Sequence, residues 1–122
     1  MATILIVDDQ PEILRVYSRA LDAAGHSVQI AESAEAAMLL IEAATPDAVL
    51  LDLKMPYVNG MGMLYRLRKG HPRLPVAMMT GVTTLDKESL QELAMLDTTV
   101  HFKPLSIAEI QQVVDTLLTR KA

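Results

Sequence analysis

Short β-branched or apolar runs alternate along this chain with longer stretches in which apolar residues recur every three or four positions. The runs fall at Ile4–Val7, Ser27–Ile30, Ala48–Leu51, Val76–Met79 and Thr99–Phe102 and predict five strands. Between them, Ile13, Leu14, Tyr17 and Leu21 make one apolar helix face, which Gly25 is placed to end. A second helix fits Ala34–Ala43 with Ser33 as its N-cap, and a third fits Met61–Lys69, ahead of Pro72 and Pro75. The stretch from Thr84 to Leu96 is less regular and predicts a fourth. Ile107, Ile110, Val113, Val114 and Leu117 form the clearest stripe, with Ser106 and Glu109 in capping-box spacing at its start.

Strands alternating with helices in this way predict parallel βαβ units with right-handed crossovers. The strand runs are apolar throughout, as expected where helices cover both faces of a sheet. The expected fold is α/β, a doubly wound (βα)5 parallel five-stranded sheet. Among such folds the flavodoxin-like order 2-1-3-4-5 leads, although periodicity does not select it alone. Residues 1–122 read as a single domain without internal repeats or linkers.

Composition narrows the function classes. Hydrophobic residues make up 51% of the chain, a globular proportion, and 11 basic against 15 acidic residues give a net charge of −4. The basic residues are dispersed, so no direct nucleic-acid binding is expected. The chain has no cysteine, which excludes disulfides and agrees with a reducing compartment. Its first residues lack a basic leader and meet Asp8 early, so neither a signal peptide nor a membrane span is expected. A cytoplasmic protein is the expectation. His26, His71 and His101 lack metal-ligand spacing, and the eight methionines read as core filler. Asp22, Glu42, Asp86, Glu88 and Glu92 read as solvated helix faces.

The chemistry gathers just past the strands. Strand one ends at Asp8-Asp9, strand three at Asp52, strand four at Thr80 and strand five at Lys103. In a parallel sheet these carboxyl ends share one edge, the usual place for a ligand. Taken singly, each residue has a plainer role: a helix cap, a turn carboxylate or a solvated charge. Taken together they make a chemical set. Three adjacent carboxylates repel unless a cation joins them, and Mg²⁺ favours carboxylates, waters and phosphate oxygens. A hydroxyl and an amine complement a phosphoryl group, and a carboxylate can itself attack phosphorus to form an acyl phosphate.

Val7-Asp8-Asp9, Asp52-Leu53-Lys54-Met55-Pro56 followed by Gly60, Thr80-Gly81 and Lys103-Pro104 resemble the signature of response-regulator receiver domains of two-component signalling. The resemblance covers essentially the whole chain, with the motifs in order. It implies that Asp52 is the phosphoacceptor, fed by a phosphohistidine on a sensor histidine kinase or histidine phosphotransfer protein. It implies Mg²⁺ held by Asp9 directly, by Asp8 largely through water, by Asp52, and by the backbone carbonyl of Lys54. Thr80 and Lys103 would engage phosphoryl oxygens, and the Lys103–Pro104 peptide would be cis. The output, to an unknown effector domain or protein, would use the face of the fourth helix, fifth strand and fifth helix.

Three departures fall on that face. Val100 stands where the family commonly has the Tyr or Phe that turns inward with the threonine. Phe102, on the same strand face by period-two alternation, is the nearest aromatic. Leu96-Asp97 replaces the usual Gly-Ala pair, in an interval about one residue longer than usual. His101 stands where an aliphatic residue usually faces the core, so it needs a partner or stays neutral. Val100 and Phe102 are thus the candidate switch and output positions.

Such a protein promotes only its own phosphorylation and dephosphorylation and is not a conventional enzyme. One alternative is a pseudo-receiver that binds partners without phosphorylation. The other is a Mg²⁺-dependent phosphohydrolase with an Asp nucleophile, which would want an acid where Lys54 stands, and a cap domain. No effector domain is expected within these residues, so the receiver either acts alone or belongs to a longer regulator or hybrid kinase.

Overall fold

The computed structural model describes residues 2–52, 60–81 and 85–120. Strands and helices alternate: β1 Thr3–Val7, α1 Pro11–Ala23, β2 Ser27–Ala31, α2 Ala34–Ala43, β3 Ala48–Asp52, α3 Gly60–Gly70, β4 Val76–Thr80, α4 Lys87–Met95, β5 Thr99–Phe102 and α5 Ile107–Arg120. The five strands are parallel in the order β2-β1-β3-β4-β5, the expected flavodoxin-like arrangement.

The pleat sorts the core into two layers. Leu5, Val7, Val49, Leu51, Val76 and Met78 face α2, α3 and α4, where Ala37, Ile41, Met63, Leu64, Leu67 and Leu93 meet them. Ile4, Ile6, Leu50, Ala77 and Met79 face the other way, onto Leu14, Tyr17 and Leu21 of α1 and Ile110, Val114 and Leu117 of α5. Because successive side chains alternate faces, one strand supplies both layers, and its sequence must be apolar throughout.

Local signals set the helix ends. Ser33 Oγ accepts the Ala36 N–H, as its N-cap position predicts. The capping box of α5 closes in both directions, with Ser106 N–H donating to Glu109 Oε1 and Glu109 N–H donating to Ser106 Oγ. Gly25, at φ +92°, ends α1 in a Schellman motif: His26 N–H donates to Leu21 O and Gly25 N–H to Asp22 O. The end of α4 repeats that motif with a non-glycine residue. Thr98 N–H donates to Leu93 O, Asp97 N–H donates to Ala94 O, and Asp97 takes φ +52°.

Several readings need correction. Ile107, placed in the apolar stripe of α5, is 60% exposed, because it sits in the first turn, before the helix settles on the sheet. Asp86 is the N-cap of α4, accepting the Ser89 N–H, and Glu92 accepts a hydrogen bond from the Tyr65 hydroxyl. Neither carboxylate is merely solvated. Met63, Met78 and Met79 fill the core as expected, whereas Met95 is 86% exposed.

Candidate functional site

Asp8, Asp9, Asp52, Thr80 and Lys103 meet at the carboxyl edge of the sheet. The register makes this unavoidable: Val7 pairs with Leu51 and Asp52 with Met79, so the carboxyl ends of β1, β3 and β4 lie side by side. Lys103 is tied to the same edge by its N–H, which donates to Thr80 O at 2.7 Å.

The edge is chemically unusual for its burial. Asp8, Asp52 and Thr80 are all buried, and the Lys103 side chain is only 9% exposed. The Lys103 ammonium bridges the two carboxylates, 2.7 Å from Asp8 Oδ2 and 3.4 Å from Asp52 Oδ2. Asp8 uses its other oxygen to accept the Gln10 N–H at 3.0 Å. It therefore does not cap α1; the N-cap position is Gln10, whose side chain makes no capping bond, with Pro11 opening the helix. Removing one partner from a buried ion pair costs about 3–5 kcal/mol, so these groups hold one another in place.

Asp8, Asp9 and Asp52 each offer one carboxylate oxygen, and the three atoms lie within 4.8 Å of one another. Asp9 is the solvent-facing member. The carboxylates outnumber the ammonium among them, which leaves the cluster short of positive charge. An all-oxygen donor set with that deficit suits a hard divalent cation. An open cleft lined by Asp9, Gln10, Pro11, Glu12, Ile13 and Arg15 reaches the cluster at Asp9. Lys54, the fourth metal-site candidate, lies outside the described residues. The Lys103–Pro104 peptide is cis, as the resemblance implied.

The candidate switch residues lie on the far strand. Val100 packs partly against the core layer under α4, whereas Phe102, one pleat further along the same face, is 43% exposed. His101 points the opposite way, into a small cleft with Thr99, Gln112, Val113, Thr116 and Leu117. It is half-buried, and its Nε2 lies 3.0 Å from Thr99 Oγ1, which supplies the partner such a histidine needs. Burial pushes its pKa below the usual value, opposed by the Glu109 carboxylate. Elsewhere, the bond to Glu92 raises the Tyr65 phenol, and the bond from Ser89 lowers the Asp86 carboxyl.

Two side chains were missed as structural actors. Arg68 donates from Nε to Leu96 O at 2.7 Å, pinning the end of α4 to α3, and from Nη1 to Leu74 O at 2.6 Å in the segment ahead of β4. No local signal in the sequence announces this. The Tyr17 hydroxyl accepts the Leu105 N–H, and here a signal existed, since a buried tyrosine on an apolar stripe needs a partner for its oxygen.

Comparison with known proteins agrees with this geometry. The family model described as the response regulator receiver domain matches residues 4–115. The chain is 32% identical over 118 residues to the probable transcriptional regulatory protein TcrX of Mycobacterium tuberculosis, covering 97% of this chain and 50% of that protein. It is 40% identical over 81 residues to the DNA-binding transcriptional regulator NtrC of Klebsiella pneumoniae, covering 66% of this chain and 17% of that one. The chain thus spans half the length of the first relative and far less of the second. Among solved structures, the receiver domain of NtrX from Brucella abortus superposes with a TM-score of 0.86 at 27% identity, covering 95% of this chain and 98% of its own. The Vibrio cholerae chemotaxis protein CheY4 superposes with a TM-score of 0.88 at 26% identity, covering 97% of this chain and 99% of its own.

Proposed function

The chain belongs to the response-regulator receiver family, and we propose that within it Asp52 accepts a phosphoryl group from a phosphohistidine of a sensor histidine kinase or histidine phosphotransfer protein. One observation carries this reading: a buried lysine ammonium spans two buried carboxylates at the carboxyl edge of the sheet. An Asp52 carboxylate oxygen attacks phosphorus, the P–N bond to the donor imidazole breaks, and the imidazole keeps the electron pair. The product is an acyl phosphate.

Asp9 would hold Mg²⁺ directly and Asp8 largely through water, completed by Asp52 and the carbonyl of Lys54. The oxygen donor set of the first three supports that assignment. When bound, the ion supplies positive charge against the carboxylates and the phosphoryl oxygens. The remaining work belongs to the chain. Phosphorylation removes the Asp52 carboxylate charge and adds about −1.5 to −2 charges on the phosphoryl group, so Lys103 follows the new oxygens and Thr80 donates to another. The same residues promote hydrolysis of the acyl phosphate, which makes the protein a switch rather than an enzyme with a diffusible substrate.

Residues 1–122 act as one receiver unit, in the cytoplasm, without binding nucleic acid or membrane themselves. Among the described residues no helix is long and apolar enough to cross a membrane. Signal leaves through the face formed by α4, β5 and α5. Val100 has no ring to swing, so the switch moves α4 without an aromatic rotor, and the exposed Phe102 helps dock the partner; the loop after Thr80, which would move with α4, lies largely outside the described residues.

Incubation with Mg²⁺ and acetyl phosphate, read by intact mass, tests the central claim. Wild type gains a phosphoryl group and Asp52→Asn does not; equal modification of both would remove Asp52 as the acceptor. Unchanged partner binding by Phe102→Ala would remove Phe102 from the docking surface.

A further inference from the structure

Hydrogen-bond accounting along the segment that carries Lys103 leads to α1. Lys103 N–H donates to Thr80 O. Pro104 has no N–H to donate. Ser106 N–H is taken by Glu109 within the capping box. Between them stands Leu105, itself buried, whose N–H donates to the Tyr17 hydroxyl at 3.1 Å across 88 residues of sequence. A buried N–H without an acceptor is unfavourable, so the Tyr17 oxygen is what allows the segment to lie where it does. The tyrosine is itself buried. It is 4% exposed in the core layer it shares with Leu14, Leu21, Leu105 and Ile110.

Resting on the phosphoacceptor reading above, we infer that Tyr17 is a positioning residue for Lys103: its hydroxyl anchors the backbone after the lysine to α1 and so holds the ammonium over Asp8 and Asp52. The segment is fastened on both sides. The sheet holds it through Thr80 O, and α1 holds it through Tyr17. With the second anchor gone, the Lys103 backbone pivots about the first, and the ammonium spends less time within reach of the incoming phosphoryl oxygens. Tyr17 touches none of the reacting atoms; its influence passes through the main chain.

Tyr17→Phe keeps the ring and deletes only the acceptor. With Mg²⁺ and acetyl phosphate, it should be phosphorylated roughly fivefold more slowly than wild type, the scale of one hydrogen bond. The Leu105 amide proton resonance should move upfield. Lys103→Gln should slow the reaction further, and Tyr17→Phe added to Lys103→Gln should slow it no more, because its effect passes through the lysine. An equal slowing in both backgrounds, or full-rate phosphorylation of Tyr17→Phe, overturns the inference while leaving Asp52 as acceptor. Free exchange of the Leu105 amide in wild type overturns it without any variant. A wild type that takes no phosphoryl group overturns the phosphoacceptor reading, and this inference with it.

Discussion

The centre of the sheet and its β5 edge are built differently. β3 is buried along its whole length and ends in Asp52, beside the bridge from Lys103 to Asp8. β5, at the edge, has no fully buried residue, and α4 beside it buries only Leu93. The first region is held by apolar burial on both faces and by ion pairs shielded from water. The second is held by directed bonds from α3, Arg68 to Leu96 O and Tyr65 to Glu92, with Leu90, Met95 and Phe102 left in solvent. Segments with few buried contacts open at low cost. Burial is thus concentrated around the charged site and sparse along α4 and β5.

That contrast can be tested by substitution. Leu50→Ala in β3 should lower the unfolding free energy in urea by about 2–5 kcal/mol, since the side chain is wholly buried. A loss below 1 kcal/mol would mean that the centre is as loosely packed as the edge. Arg68→Met keeps the apolar stem but strips the donors from Leu96 O and Asp97 O at the end of α4 and from Leu74 O ahead of β4. It should cost about 1–3 kcal/mol and speed amide exchange in α4 more than in α1. Uniform acceleration would show that Arg68 is not specific to α4.

Asp97→Gly should stabilise the protein by about 0.5–1 kcal/mol, because Asp97 occupies a left-handed conformation that glycine adopts without strain. A lower urea midpoint would show that the aspartate compensates for its backbone. His101 gives the smallest effect. Its folded pKa lies below the ordinary 6.5, so its contribution is fully present above that value and is lost as pH falls through the folded pKa. Within its cleft it meets Thr99, Gln112 and Thr116, with Glu109 the nearby charge that favours protonation. Stability should therefore fall more steeply on acidification in wild type than in His101→Leu, measured by urea midpoints from about pH 7.5 to about pH 5. Parallel curves would remove His101 as the cause.

The fold was largely legible along the chain. Apolar runs spaced by helical stripes predicted all ten elements, and the bounds of α2 and the caps Ser33 and Ser106 matched. Such features depend on residues within a turn or two of one another, and a linear reading reaches that far. The edge position of Asp8, Asp9, Asp52, Thr80 and Lys103 was also legible, because parallel topology sends every strand's carboxyl end the same way. Less was legible at α4, where Asp86 and Glu92 looked like ordinary surface acids until Ser89 and Tyr65 were seen against them.

Tertiary packing settled what lies between distant segments. That Lys103 meets Asp8 across 95 residues, that Tyr17 receives Leu105 across 88, and that Arg68 holds the end of α4 all depend on how helices seat on the sheet. Each bond is directional and short, so a shift of one ångström in the seating would break it, and no periodicity records such a shift. Alternation and capping are properties of neighbours; the burial that turns five ordinary polar residues into one charged site is a property of the whole sheet.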